Sequence, residues 1–279
     1  MFKIRLMRAV DYQFAAEIAN TMDWNMAVED FAFMTSLDPN GCFVAFEDRE
    51  RIGIATSISY GRVGWFGNLI VKEECRKKGV GSLLVKHSIA YLKSEGVQTI
   101  GLYAYPNLVP FYSDLGFEPD EDFSVLHVKS LDLVTAEIFP RVEKSQIKKI
   151  EAFDRKCFGG DRKKLLESII LGEGNLSHYL SERNGVVGYV AATVYEKMAW
   201  VGPLICQGNR VDAAILLVRS VLTKLGGRSV YAVLPKKEEA LMDEFFRFGL
   251  REDFFVSRMF LGDDVARNCI YMAESLERG

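Results

Sequence analysis

Apolar and charged residues alternate over positions 2–8, with Phe2, Ile4 and Leu6 set against Lys3, Arg5 and Arg8, the two-residue period of a half-buried strand. The period then lengthens. Phe14, Ala15, Ile18, Ala19 and Met22 recur at helical spacing, with Asp11 placed to cap that helix. Val28, Phe31 and Met34 predict a second short helix over 27–36, and Asp38-Pro39-Asn40-Gly41 is a strong turn signal before paired strands over 43–47 and 52–59. A strand over 65–71, a helix over 79–93, a strand over 97–104, a helix over 108–115 and a closing strand over 123–128 complete an α/β unit of about 130 residues, an ordinary domain size.

The remainder repeats that order. Gly202-Pro203-Leu204-Ile205-Cys206 echoes Gly67-Asn68-Leu69-Ile70-Val71, and each precedes a helix with an aliphatic face, Leu83, Leu84 and Val85 against Leu216, Leu217 and Val218. Phe248-Gly249-Leu250 echoes Leu115-Gly116-Phe117 in the same way. Self-similarity at so long a period indicates a duplicated domain rather than a solenoid. The boundary falls within 130–137.

Composition narrows the classes. A hydrophobic share of 49% and a net charge of −3 describe a soluble globular chain, and Lys77-Lys78 and Lys163-Lys164 are too short for a polyelectrolyte track, so no nucleic-acid partner is expected. Cys42, Cys75, Cys157, Cys206 and Cys269 form no Cys-x-x-Cys pair, which fits reduced thiols and a cytoplasmic location. His87, His127 and His178 lie far apart, without the spacing of metal ligands. The apolar stretch 185–206 is broken by its glycines and Glu196-Lys197 into two strands and a turn, so no membrane span is expected.

Arg76-Lys77-Lys78-Gly79-Val80-Gly81 joins the strand over 65–71 to the following helix. Unpaired N–H groups of a first helical turn, with the positive end of the helix dipole, favour a phosphate, and glycines let it come close to the backbone. A triphosphate-binding loop would need Gly-Lys-Ser/Thr, but Gly81 is followed by Ser82-Leu83. The dinucleotide fingerprint would need a third glycine where Leu84 stands. An ordinary glycine turn ahead of a basic surface helix is the plain alternative. The second copy has the shorter Gln207-Gly208-Asn209-Arg210-Val211-Asp212 and no glycine pair, so one phosphate seat per chain is expected.

Downstream of this turn stands Pro110-Phe111-Tyr112-Ser113-Asp114-Leu115-Gly116-Phe117. With Arg-x-x-Gly-x-Gly and Phe-Tyr-x-x-x-Gly-Phe in one unit, the chain resembles the GNAT superfamily of N-acetyltransferases. Phe158-Gly159-Gly160-Asp161-Arg162, where Asp161 also reads as a helix cap, and Ser257-Arg258-Met259 are similar to segments of a bacterial and archaeal group of tandem GNAT proteins. The resemblance implies an α/β (α+β) fold of two tandem GNAT-like domains, residues 1–130 and 137–279, each a mixed, mostly antiparallel twisted sheet flanked by helices.

The resemblance further implies acetyl coenzyme A as co-substrate, with no metal. Arg76, Lys77, Lys78, Gly79, Val80, Gly81 and Ser82 would receive its pyrophosphate. The main chain of Leu69, Ile70 and Val71 would pair with the pantetheine arm, and a backbone N–H there would polarise the thioester carbonyl. Asn107 would add a coenzyme contact, although it stands closer to Tyr112 than the family's asparagine does. Tyr112 would be the general acid, since a phenol is protonated at neutral pH and can donate to a forming thiolate; it also reads as an amphipathic core tyrosine.

The family's acidic residue late in the fourth strand is replaced by Gly67-Asn68, and an asparagine cannot take a proton. Water or another carboxylate must do so. Asp23, Glu29 and Asp30 lie in the segment that borders the acceptor pocket in this family, where Trp24 would form a wall and Asn68 an acceptor-side contact; each carboxylate also reads as a cap or a solvated charge. Glu118-Pro119-Asp120-Glu121-Asp122 would attract a cationic amine or simply be a solvated turn. The expectation is an acetyl-coenzyme-A-dependent N-acetyltransferase acting on a primary amine of a small molecule or peptide. Its first copy would be catalytic and its second degenerate, helping to close the acceptor site or pairing two chains as a homodimer. Two alternatives stand beside it: a non-catalytic acyl-coenzyme-A sensor, and an aminoacyl or peptidyl transferase, which would want a basic groove.

Overall fold

The computed structural model describes residues 2–132, 139–263 and 268–279. Of the expected boundary at 130–137, residues 133–137 lie outside the described residues. The first repeat runs β1 (Phe2–Leu6), α1 (Tyr12–Asn20), α2 (Val28–Leu37), β2 (Cys42–Glu47), β3 (Glu50–Tyr60), β4 (Val63–Val71), α3 (Val80–Ser94), β5 (Thr99–Ala104), α4 (Val109–Ser113) and β6 (Glu118–Val128). The second runs α5 (Ile147–Phe158), α6 (Lys163–Ile170), β7 (Leu176–Glu182), β8 (Gly185–Val194), β9 (Met198–Gln207), α7 (Val211–Leu222), β10 (Ser229–Pro235), α8 (Glu239–Arg247), β11 (Arg251–Gly262) and β12 (Cys269–Met272).

These strands form one twisted sheet in the order β1-β2-β3-β4-β5-β11-β6-β10-β9-β8-β7, with β12 paired to β9 off that path. Among the described strands, pairing is antiparallel except for β4 with β5 and β9 with β10. The halves exchange their late strands. Ser257 to Gly262 of β11 pair with β5 of the first half, while Phe123 to Val128 of β6 pair with β10 of the second. A local two-fold relation therefore passes between β6 and β11, which pair antiparallel.

The apolar faces follow from this layout. On one side of the sheet, α1 and α2 share a continuous core with α5 and α6, through Phe31, Met34, Trp65, Phe158, Leu165 and Tyr189. The other side carries two separate cores, one under α3 and α4 and one under α7 and α8. Among the described residues no helix is long and apolar enough to cross a membrane.

Three local expectations are corrected. Asp11 does stand at the start of α1 but does not cap it: its buried side chain accepts the Arg8 N–H at 2.9 Å, capping the short turn Ala9–Asp11, and is held by Arg5 Nη1 at 2.6 Å and Arg51 Nε at 2.7 Å. Burial alone would raise its pKa, but the hydrogen bonds from Arg5, Arg51 and Arg8 outweigh it and bring the carboxyl to about 2. The acidic run 118–122 is the first part of β6 rather than a turn, and Asp120 and Glu121 hold the buried Arg258 of β11 while Glu121 also pairs with Lys237. Asp161 lies one residue before the α6 cap; its carboxylate accepts the Lys163 N–H at 3.1 Å and pairs with Arg155, and the neighbour Arg162 is the buried group, bonded to Asp154 at 2.6 Å.

Candidate active site

The site begins where β4 leaves β5. Their parallel pairing covers Val63, Gly64 and Trp65 against Thr99, Ile100 and Gly101 and then stops. Past that point β4 carries a bulge, because Ile54 faces Ile70 while Thr56 faces Gly67, leaving Asn68 and Leu69 opposite Ala55. Asn68 takes φ +48, a left-handed conformation that asparagine tolerates. Its buried side chain donates from Nδ2 to Thr56 Oγ1 at 3.2 Å, so the amide holds the bulge and does not face an acceptor. The main chain of Leu69, Ile70 and Val71 thus borders a gap, a strand edge whose polar groups want a partner. Val71 O already has one, Arg76 Nε at 3.0 Å.

The glycine turn lies at the end of this edge. Lys77 has φ +60 and Gly79 φ +86, and Gly79 is the N-cap of α3. The first intrahelical bond runs from the Leu83 N–H to Gly79 O at 3.0 Å, so the N–H groups of Val80, Gly81 and Ser82 precede it and are available at the turn. Lys77 and Lys78 are exposed there, while Arg76 folds back toward β4 and Met22. Gly81 brings α3 against α4: a Cβ on it would lie 3.6 Å from the Phe111 ring.

On the same side of the sheet, Tyr112 is buried between Phe66 of β4 at 6.3 Å, Phe111 at 5.0 Å and Phe117 at 5.9 Å between ring centroids. Burial lifts its phenol above the ordinary value, so it is protonated across neutral pH. Left-handed Gly116 lets the chain turn so that the Phe117 N–H reaches Tyr112 O at 3.1 Å. Asn107 is exposed in the short turn Pro106–Leu108 after β5.

The opposite side is built by both halves. Trp24, half-buried in the α1–α2 connection, donates from Nε1 to Tyr105 Oη at 3.1 Å, and Tyr105 packs on Phe254 of β11 at 5.5 Å. Of the three predicted carboxylates, the structure brings only Asp30 toward the acceptor side, near Glu277 and Tyr195. Asp23 and Glu29 are exposed, and Asp30 accepts the Ala27 N–H at 2.7 Å, as a helix cap does.

Sequence reasoning missed the segment 269–279. β12 pairs with β9 at Leu204 to Gln207, and the Ala273 N–H reaches Val233 O of β10 at 3.1 Å, so this segment lies in the gap between β9 and β10. It crosses Gly202 so closely that a Cβ there would stand 2.0 Å from Ala273 O. It continues to the first half, where a Cβ on Gly67 would stand 2.7 Å from both Cα and Cβ of Glu277. Trp65 Nε1 donates to Leu276 O at 3.1 Å, Tyr60 Oη to Arg278 O at 3.0 Å and Arg162 Nη1 to Gly279 O at 2.7 Å. The small residues Gly67 and Gly202 were the available signal, since a glycine inside a strand marks a close backbone approach.

The second half also departs at the two positions that matter most. Where the first has its basic glycine turn, Arg210 is held by Asp212 at 3.1 Å and Glu182 at 2.7 Å. Where Tyr112 closes its turn with Phe117, Phe245 makes the same bond, the Leu250 N–H to Phe245 O at 3.1 Å, and brings no hydroxyl.

The sheet thus opens after its fourth strand, with a glycine-headed helix at the gap. Residues 9–117 match the family described as acetyltransferase (GNAT) family, and residues 150–270 match one described as acetyltransferase (GNAT) domain. The chain belongs to the GNAT superfamily, as a protein with two GNAT domains in tandem. It is 38% identical over 55 residues to serotonin N-acetyltransferase 2 of Oryza sativa subsp. japonica, a chloroplastic protein, over 20% of this chain and 28% of that one, so the match spans under a third of the rice protein. It is 23% identical over 197 residues to the uncharacterized N-acetyltransferase YitH of Bacillus subtilis, covering 70% of this chain and 68% of that one. The crystal structure of a candidate acetyltransferase from Pyrococcus horikoshii superposes with a TM-score of 0.83 at 21% identity, over 100% of this chain and 96% of the other.

Proposed function

We propose that the chain is an N-acetyltransferase that takes its acetyl group from acetyl coenzyme A at a single site in the first half, residues 1–130, and passes it to a primary amine. The observation that carries this reading is the contrast between the gaps: β4–β5 is bordered by a strand edge that no strand covers among the described residues, a left-handed glycine and first-turn N–H groups, while β9–β10 contains the chain's own residues 269–273. The residues of the first gap suit the coenzyme. Leu69 to Val71 offer main-chain groups to an amide-bearing arm, and Lys77, Lys78 and the start of α3 offer positive charge and N–H donors to a pyrophosphate. The coenzyme supplies an activated acetyl thioester; the chain orients it, polarises its carbonyl through a backbone N–H beside Asn68, and protonates the departing sulfur from Tyr112.

The second half, residues 137–279, is degenerate as a coenzyme site and serves the first. It lends β11 to the first sheet and Phe254 to the acceptor side. That side also carries Asp30, Glu274 and Glu277 beside Arg278, and its carboxylates suit a cationic amine. The test is thiol release from acetyl coenzyme A by the pure chain with a panel of lysine, spermidine, glucosamine, serotonin and an alanyl peptide. Acceleration by at least one amine is expected; background hydrolysis with all of them, in the presence of saturable coenzyme binding, would overturn the enzymatic reading.

A further inference from the structure

A primary amine is an ammonium ion at neutral pH, so it must lose a proton before its lone pair can attack a thioester. The strand beside the thioester cannot accept that proton: Asn68 has no basic atom and its amide is committed to Thr56. Asp23 and Glu29 are exposed, and Asp30 is taken by the Ala27 N–H. We infer that Glu277, brought to Gly67 by the C-terminal segment, is the catalytic base of the first half. This rests on the reading of that half as the acetyltransferase site.

Placement is the main support. Gly67 lies two residues beyond the last β4–β5 pair, at the mouth of the gap, and Glu277 sits directly on it. Phe66, immediately before, touches Tyr112. Successive strand residues point to opposite faces of a sheet. Glu277 and Tyr112 therefore flank the same point of β4 from opposite sides, one where an amine would arrive and the other where the sulfur would depart. The residue is also fixed in place, because the carbonyls of Leu276, Arg278 and Gly279 are held by Trp65, Tyr60 and the buried Arg162–Asp154 pair.

The surrounding charges suit a base. Arg278 Nη1 lies 2.8 Å from Glu277 Oε1, but the rest of that guanidinium is bound to Glu274, at 2.8 Å from Nε and 3.2 Å from Nη2. Glu274, Asp30 and Tyr195 also face the cluster. Burial, with Glu274 and Asp30, raises the Glu277 carboxyl above the ordinary value against the opposing pull of Arg278. A fifth of the side chain, 20%, reaches solvent, so a proton taken there can leave.

The step balances. Glu277 takes one ammonium proton and passes it to water; the N–C bond forms as the C–S bond breaks with its electron pair going to sulfur. Tyr112 protonates the sulfur, and the second proton lost by nitrogen returns through water to the phenol. The experiment compares full-length wild-type, Glu277→Gln and Glu277→Asp chains with acetyl coenzyme A and the best amine of the panel. For Glu277→Gln, kcat/KM for the amine is expected to fall about 100-fold with coenzyme affinity within about twofold, and the acid limb of the pH profile to disappear. Glu277→Asp, which keeps the charge, is expected to retain that limb at reduced height and guards against a folding defect in the amide variant. A Glu277→Gln chain that binds coenzyme and keeps both the wild-type rate and the limb would overturn the assignment of the base alone. A wild-type chain that acetylates no amine would overturn the parent reading and this one with it.

Discussion

The two halves use the same backbone device and put different things in it. β4 and β9 each pair in parallel with the next strand for only a few residues, each carries a bulge, and each is followed by a helix and a turn closed by a left-handed glycine, Gly116 or Gly249. A strand edge left open in this way must find partners for its N–H and C=O groups. In the second half the chain itself provides them through β12, and the rim has lost what a phosphate ligand needs: Arg210 is neutralised by Asp212 and Glu182, and Phe245 stands at the tyrosine position. In the first half the rim keeps exposed lysines, a left-handed glycine and Tyr112. On the proposed reading the rim side chains, rather than the opening of the sheet, separate a ligand groove from a packed strand.

The comparison is tested most severely by making the first half resemble the second. Tyr112→Phe is expected to lower kcat by about 100-fold or more while coenzyme affinity stays within about twofold; an unchanged kcat would remove Tyr112 as the acid. Next in size is the packed gap. Ile270 of β12 is 2% exposed in the second core, and Ile270→Ala is expected to cost about 2–4 kcal/mol, read as a lower urea midpoint. A loss under half a kcal/mol, roughly the scale of a surface substitution, would mean that β12 is not a fixed part of that half.

A smaller effect separates the two buried carboxylates, Asp11 under Arg5 and Arg51, and Asp154 under Arg162. The folded-state pKa of Asp11, about 2, lies below the ordinary 3.8. Its contribution is therefore present above 3.8 and lost as pH falls through about 2, and it amounts to about 2 kcal/mol at neutral pH. Asp11→Asn is expected to remove that amount and to flatten the acid end of the stability profile; an acid limb identical to wild type would contradict the assignment. Smallest is Gly79→Ala. At φ +86 a side chain is strained, by about 1 kcal/mol; the free turn is expected to relax and to need restoring for coenzyme to seat, which a titration would read as about a fivefold weaker affinity.

Much of this was legible in the sequence. In the first half hydrophobic periods located the helices and strands to within a few residues, apart from the start of β6, and the echo of Gly67-Asn68-Leu69 in Gly202-Pro203-Leu204 revealed the duplication. The partners of the strands were not legible, because the likeness of Ser257-Arg258-Met259 to a family segment does not say that its strand inserts between β5 and β6. Asp11 followed the capping rule by position, yet Arg5 of β1 and the distant Arg51 compete better for its carboxylate than the N–H groups of α1 do. The acidic run 118–122 resembled a solvated turn because its cation, Arg258, is more than a hundred residues away. Glu277 was missed for the same reason: the residue it packs on, Gly67, is more than two hundred positions away in the sequence.

The central claim is that one gap of the two receives coenzyme. Calorimetric titration of the full chain with acetyl coenzyme A tests it directly: the account predicts saturation at one coenzyme per chain, with affinity weakened by Gly79→Ala. Two equivalents per chain, or none, would contradict it.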